Sequence, residues 1–240
     1  MATNNALNLT LPAFDNISVQ VFTANGTYTP TTGMKVCRVQ LRGSGAAGGG
    51  TPTSGATSGT SGGGGGGGMY GEAWYTAATI GASKAVVIGS GGTGSTNAAG
   101  GNGATSTFGS TLLSVSGGLG GTVGLSQTFS TFEPGGIGGS TGSAASNIGT
   151  AVFNEGQPGG NGFYCTSWAA IGGLGGACGD GSGNHNIPAE NGGSGSDGLS
   201  APANSGAGGT GSSIQGTIGS VQKGGNGGSG ICIITEYLSV

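Results

Sequence analysis

Charge is almost missing from this chain. Its 240 residues hold five Lys and Arg and eight Asp and Glu, for a net charge of −3. There is no basic stripe and no interleaving of aromatic with basic residues, so nucleic acid is not an expected partner. Histidine occurs once, at His185. That excludes a multi-histidine metal site, and neither a metal nor any other cofactor is expected. No apolar run approaches the ~18 residues of a membrane-spanning helix. Residues 1–20 lack a basic segment followed by an apolar one, so no export signal is expected. Cysteine is sparse and widely spaced: Cys37, Cys165, Cys178 and Cys232. Cys37 and Cys232 lie in strand-like apolar runs, where a free thiol packs as a small hydrophobe. Spacing leaves a Cys165–Cys178 bridge open. With seven prolines and no strict every-third glycine, collagen is excluded.

What the chain has is glycine, 63 residues of it. Only Gly26 and Gly33 fall in the first 42 positions. The rest cluster in blocks such as Gly117-Gly118-Leu119-Gly120-Gly121 and Gly172-Gly173-Leu174-Gly175-Gly176. Such a composition usually signals disorder. Here, however, 33% of residues are hydrophobic and only 5% are charged, whereas disordered chains are charged and poor in aromatics. Glycine has no side chain to bury, so ordered glycine must draw its stability from backbone hydrogen bonds. The threefold left-handed extended helix has no internal hydrogen bonds, so its N–H and C=O groups point sideways at neighbours. A side-by-side bundle of polyglycine-II-like segments is therefore the expected packing, with close backbone approach adding Cα–H···O contacts.

The remaining pattern is that of strands. Residues 17–22 alternate, with Ile17, Val19 and Val21 on one side, and Ala24-Asn25-Gly26 reads as a turn. Residues 34–42 give the clearest strand, with Cys37, Val39 and Leu41 facing one way and Arg38, Gln40 and Arg42 the other. Further strands are expected at 70–76 and 84–88, a hairpin over 105–108 and 112–116, and a last strand at 231–237 that pairs with 34–42. No stretch reads as a helix. Between 117 and 230 there is almost no strand signal. Glycine blocks alternate there with inserts at 122–134, 143–155, 163–171, 180–191, 199–204 and 212–223. The expected fold is mainly β with little or no α-helix, strands at both ends of the chain, and a packed polyglycine-II-like bundle. Residues 1–16 would form an N-terminal arm. Residues 17–240 would form one glycine-rich domain, with a β-rich part over 17–116 plus 231–237 and the bundle over 117–230.

Motifs of chemistry do not survive their context. Gly43-Ser44-Gly45-Ala46-Ala47-Gly48 has dinucleotide-fingerprint spacing, but Gly49-Gly50-Thr51-Pro52 follows instead of a helix. Residues 192–200 fit one calcium-binding nonapeptide, and such rolls need consecutive copies. Asp180-Gly181-Ser182-Gly183-Asn184 resembles part of a calcium loop, but Asn191 stands where a bidentate Glu is required. No nucleophile elbow or phosphate loop is present, so an enzyme is not expected. The three Asn-x-Ser/Thr sequons near the N-terminus are read as chance.

The inserts carry most of the large side chains of the second half. Aromatic groups either plug the ends of the glycine bundle or present a contact surface, since Trp and Tyr concentrate at recognition hot spots. Loops held on a rigid scaffold commonly carry binding. The candidate receptor-binding residues are Phe129, Phe132, Phe153, Phe163, Tyr164, Trp168, His185 and Asn186.

Several segments resemble glycine-rich domains at the C-termini of bacteriophage tail fibres: Phe22–Pro30 with Gly33-Met34-Lys35, then 78–89, the ending 230–238, and the opening Met1-Ala2-Thr3-Asn4-Asn5-Ala6. The alternation of glycine blocks with inserts is similar in architecture to the tip adhesins of T-even-type long tail fibres. The resemblance implies a virion protein made in the host cytoplasm. It would be a non-enzymatic tail-fibre tip that recognises a bacterial outer-membrane protein or surface polysaccharide through its inserts, beside other tail-fibre or virion proteins, with a homotrimer as the implied assembly. The chain departs from those adhesins in its β-rich opening and its strand ending. The main rival is a self-assembling filament or virion scaffold joined through exposed edges. An ice-binding protein and a polysaccharide depolymerase are further alternatives.

Overall fold

The computed structural model describes residues 15–55, 58–125, 127–128, 133–134, 139, 144–145, 151–165, 169–183, 189–190, 195–216 and 220–239. The chain is mainly β, in antiparallel sheets, with almost no helix. It opens with β1 (Asn16–Phe22), β2 (Gly26–Tyr28), β3 (Met34–Arg42), β4 (Ser58–Ser61) and β5 (Tyr70–Thr76). One helical turn, α1 (Ala77–Ile80), precedes β6 (Lys84–Val87), β7 (Ser106–Phe108) and β8 (Leu113–Val115). Short strands follow: β9 (Gln127–Thr128), β10 (Glu133–Pro134), β11 (Ala144–Ala145), β12 (Ala151–Asn154), β13 (Phe163–Cys165) and β14 (Ala169–Ile171). Then come β15 (Ala189–Glu190), β16 (Gly195–Ser196) and β17 (Ser213–Gln215), and β18 (Ile231–Leu238) closes the chain.

Two five-stranded sheets, β1-β18-β3-β5-β12 and β11-β8-β7-β6-β2, enclose the main apolar core. The period-2 pattern of β3 explains its place. Cys37, Val39 and Leu41 are fully buried, opposite Glu236, Ile234 and Cys232 of β18. The second sheet contributes Tyr28, Val86, Phe108, Leu113 and Val115. Phe108 lies between Tyr28 and Tyr75, with ring centroids 5.6 and 5.9 Å away, which is aromatic packing distance. The strands expected at 34–42 and 70–76 have those bounds, and 34–42 pairs with the C-terminal strand as expected. The hairpin of β7 and β8 turns through Gly109, whose φ of +51° suits glycine. The helical turn is a departure from expectation. Thr76 caps it, its hydroxyl accepting from the Thr79 amide at 3.3 Å, and Gly81 stops it at φ +65°.

Sandwich strands continue directly as glycine tracts. β3 runs into 43–51, 62–69 runs into β5, β8 runs into 116–124, and 222–230 runs into β18. In tract 62–69 the donors rotate among three neighbours. Gly62, Gly65 and Gly68 donate to the carbonyls of Ser212, Gly209 and Gly206. Gly63, Gly66 and Met69 donate to Thr122, Leu119 and Ser116, and Gly64 and Gly67 to Gly160 and Gln157. All eight bonds measure 2.8–3.1 Å. The carbonyls of the same tract accept from 43–51, 139 and 172–179. Tract 43–51 follows the same rule, donating every third amide to 222–228, to 63–69 and to 98–104. Both tracts are buried along their whole length. Six described neighbours surround 62–69 and pair all eight of its amides and seven of its carbonyls, backbone to backbone.

The tracts are close because they lack Cβ atoms. A Cβ on Gly65 would lie 2.3 Å from the Ala46 carbonyl oxygen, and one on Gly64 1.8 Å from that of Leu174. Both obstacles are backbone, which cannot move aside without breaking its own ladder.

One carboxylate sits inside the sandwich. Glu236 is 0% exposed. It accepts from the Tyr28 hydroxyl at 2.7 Å, the Thr31 amide at 2.9 Å and the Thr31 hydroxyl at 2.6 Å. Burial pushes its pKa up. The donors from Thr31, Tyr28 and Gln20 outweigh that and hold it below the ordinary carboxylate range. The pin fixes the 29–33 segment against β18.

Two predictions follow from these contacts. Gly65→Ala costs about 3 kcal/mol or more in chemical denaturation. Gly160→Ala, whose Cβ would come no closer than 3.1 Å to any atom, costs less than about 1 kcal/mol. Because the folded-state pKa of Glu236 is depressed, its contribution is present above the unfolded value of about 4.3 and is lost as pH falls through the folded value. Denaturation midpoints measured from pH 6 down to pH 3 fall steeply in the native chain and less steeply in Glu236→Gln; equal slopes contradict the assignment.

Candidate functional site

Several of the tracts carry their connections to the end of the molecule remote from the sandwich, while 151–154, 180–183 and 202–204 lie at the sandwich end. Residues 52–61 join 43–51 to 62–69, residues 163–171 join 156–162 to 172–179, and 213–221 join 205–212 to 222–230. A two-residue turn joins 89–95 to 98–104, and Asn97 takes φ 49° there, a conformation that Asn tolerates. These connections build two further four-stranded sheets, β10-β13-β14-β15 and β16-β17-β4-β9. The sheets touch where β13 and β14 meet β4 and where β14 and β15 meet β17. Almost no strand signal was expected between 117 and 230. These strands are two to four residues long, and the tracts bring their ends into pairing distance.

The far end has a small core of its own. Tyr164 is 1% exposed, and Ala170 and Ile214 are fully buried. Around them lie the buried hydroxyls of Thr60, Ser61, Ser212 and Ser213. Ser212 Oγ contacts the Gly49 carbonyl at 3.3 Å and the Thr51 hydroxyl at 3.2 Å. At the rim, the Lys223 amide donates to the Asp197 carboxylate at 2.7 Å. Phe163 is 37% exposed, Val221 37% and Leu125 60%. The described surface of this end therefore sets exposed Phe163, Val221 and Leu125 beside a rim that holds Asp197 and Lys223.

The structure separates the described candidates. Phe163 and Tyr164 are neighbours on β13, and successive strand residues point to opposite faces. Phe163 faces out and Tyr164 faces in, so Tyr164 presents no surface and covers the bundle end instead. Phe153 is on β12 at the opposite end, opposite Gly71 of β5 and packed against the sandwich core. Nine residues, 154–162, separate it from Phe163, a reach of up to ~33 Å when extended. Phe129, Phe132, Trp168, His185 and Asn186 lie outside the described residues. Leu125 and Val221 were missed because attention fell on aromatics; an aliphatic residue in an insert carries no distinguishing pattern.

Reactive groups are scarce. Cys37, Cys178 and Cys232 are free and buried, so Cys178 is not bridged to Cys165. Burial pushes their thiols up to about 11, about 11 and about 12, which leaves them un-ionised and inert at neutral pH. Asp180 pairs with Arg42 at 2.6 Å near the sandwich end of the tracts. Among the described residues no group of three or more His, Cys, Asp or Glu could hold a metal ion. No helix among them is long and apolar enough to cross a membrane.

A family profile described as a glycine-rich domain matches residues 22–237. The chain belongs to that family. The match begins at the end of β1 and ends within β18, so it spans the sandwich, the tracts and the far-end sheets together. No curated protein matches the chain.

The placement of the β13 aromatics is testable. Tyr164→Ala lowers stability by about 3 kcal/mol or more, as for a buried aromatic, and Phe163→Ala by less than about 1 kcal/mol. Equal losses in chemical denaturation contradict the inward and outward assignment.

Proposed function

We propose that the chain is a bacteriophage tail-fibre tip adhesin, in which a polyglycine-II bundle holds insert loops toward a bacterial surface receptor. The observation that carries the reading is the threefold rotation of donors along 43–51 and 62–69. A threefold extended helix gives that periodicity, since every third amide points the same way. A bundle of this kind is stiff and short of side chains, and serves best as a scaffold. Three of its connections, 52–61, 163–171 and 213–221, gather at one end, which suits recognition on loops held by a rigid frame.

The receptor surface would be the far-end sheets with their inserts, led by Phe163 and the other insert aromatics. Low charge makes contact depend on shape, ring stacking and amide hydrogen bonds rather than on electrostatic steering. Such a surface fits a bacterial outer-membrane protein or a surface polysaccharide. The chain would act as a non-enzymatic part of the virion, without a cofactor, attached to other tail-fibre proteins through the arm at 1–16.

The test is adsorption. Fluorescently labelled protein binds some strains in a panel of Gram-negative cells. Replacing 163–171 by a glycine-serine linker of equal length abolishes that binding; because the linker also removes the buried Tyr164, Phe163→Ser at the exposed neighbour is the matched variant, weakening adsorption with the thermal midpoint unchanged. Protease treatment of the cells against periodate treatment separates a protein receptor from a polysaccharide. Unchanged adsorption after this and each other insert replacement, or no binding to any strain, removes the proposal.

A further inference from the structure

The outer face of the first sheet has no cover among the described residues. The strand pairing aligns its outward side chains in transverse rows. Val19 lies in register with Thr235, Arg38 and Trp74 across four strands. Ile17 and Val21 flank Val19 on the same face, opposite Tyr237 and Ile233. Ile17 is 57% exposed, Val19 57%, Val21 55% and Trp74 47%. Trp74 stacks on Tyr237 with ring centroids 5.4 Å apart, so the indole lies on the sheet and broadens the apolar surface. On β1 the exposed Ile17, Val19 and Val21 alternate with the half-buried Ser18, Gln20 and Phe22, so the apolar side chains of this edge strand are turned outward.

The face is large enough to matter. Four strands of at least seven residues and the four-residue β12, at about 4.8 Å spacing and about 3.4 Å per residue, give roughly 520 Å². Two such faces together remove roughly 1,000 Å², the lower limit of a specific contact and the range of weak, reversible association. One face alone is the size of the largest patch on a typical monomer, and such patches are often functional.

Its charges select the occupant. In the rows between Ile17 and Val21 the only ionised side chains are Arg38 and Glu72, paired through Nη2 and Oε2 at 2.6 Å. Arg38 holds the Glu72 carboxyl below its usual range, and Glu72 raises the guanidinium. One charge of each sign is self-complementary under a two-fold axis, because contact i to j is repeated as j to i. Arg38 donates to Glu72 twice within the chain, which leaves the face neutral, and a two-fold axis can set the pair of one copy beside that of the other with opposite charges adjacent. A partner of single charge sign would set one of the two against a like charge.

We propose that this face is the contact surface for a second copy of the chain, packed sheet on sheet about a two-fold axis. This does not rest on the adhesin reading, and it replaces the homotrimer that likeness to tail fibres implies. The contact lies at the sandwich end, so both far ends stay accessible, and a receptor-binding molecule would gain bivalent attachment.

Sedimentation equilibrium of the full chain tests it. The native protein is a dimer that dissociates on dilution, across concentrations of about 1–100 μM. Val19→Lys and Trp74→Lys each weaken association at least about tenfold, with circular dichroism unchanged. Val87→Lys, at a 41% exposed site of the second sheet, associates as the native chain does. A native monomer at the highest concentration, a native trimer, or equal association of the Val19→Lys and Val87→Lys variants overturns the proposal; a monomer would assign the face to residues 1–14 or to a different protein.

Discussion

The structure depends on amide-to-carbonyl bonds between tracts that have almost no side chains. In an ordinary sheet, each strand pairs with two neighbours and packs the rest of its surface through side chains. Tract 62–69 has no such surface. Its order comes from distributing its backbone groups among six neighbours, and that is possible only while no Cβ intervenes. Each bond contributes about 0.5–1.5 kcal/mol net. The composition that first suggests disorder is in this setting a packing requirement. Substitution is tolerated at the margin of the bundle and refused in its interior, because the nearest obstacle at most inner positions is a carbonyl oxygen.

Glycine tracts alone have no register, since one residue is like the next. The sandwich supplies it. β3, β5, β8 and β18 are fixed by alternating side chains and by the buried Glu236 pin, and each runs straight into a tract or out of one. Register set by Cys37, Val39 and Leu41 against Glu236, Ile234 and Cys232 is handed on to 43–51 and 222–230. The far-end sheets close the other side. The molecule thus has side-chain packing at both ends and backbone packing between them, which leaves its connections free to vary without disturbing the frame.

Legibility in the sequence followed side chains. The strands at 34–42 and 70–76 could be read because one face of each is buried and the alternation records it. β4, with the sequence Ser-Gly-Thr-Ser, carries no such record. It is a strand because the tract sets Ser61 opposite Ser213 and Gly59 opposite Gln215. The turn of helix at 77–80 is too short for any period; only Thr76 and Gly81 mark it. β13 carries no strand signal in the sequence, so only the assembled sheet sets Phe163 and Tyr164 on opposite faces. Trp74 illustrates the same limit. Alternation fixed its side of the strand, and only the assembled sheet shows that this side lies open.

Amide hydrogen exchange of the inner tracts tests the account most directly. Saturated backbone in tract 62–69 exchanges only through unfolding of the whole bundle, so the amides of Gly63 to Gly68 should show protection equal to that of Val39 and Ile234 in the sandwich. Exchange of those glycine amides at the rates of an unstructured chain, while the sandwich stays protected, would contradict it.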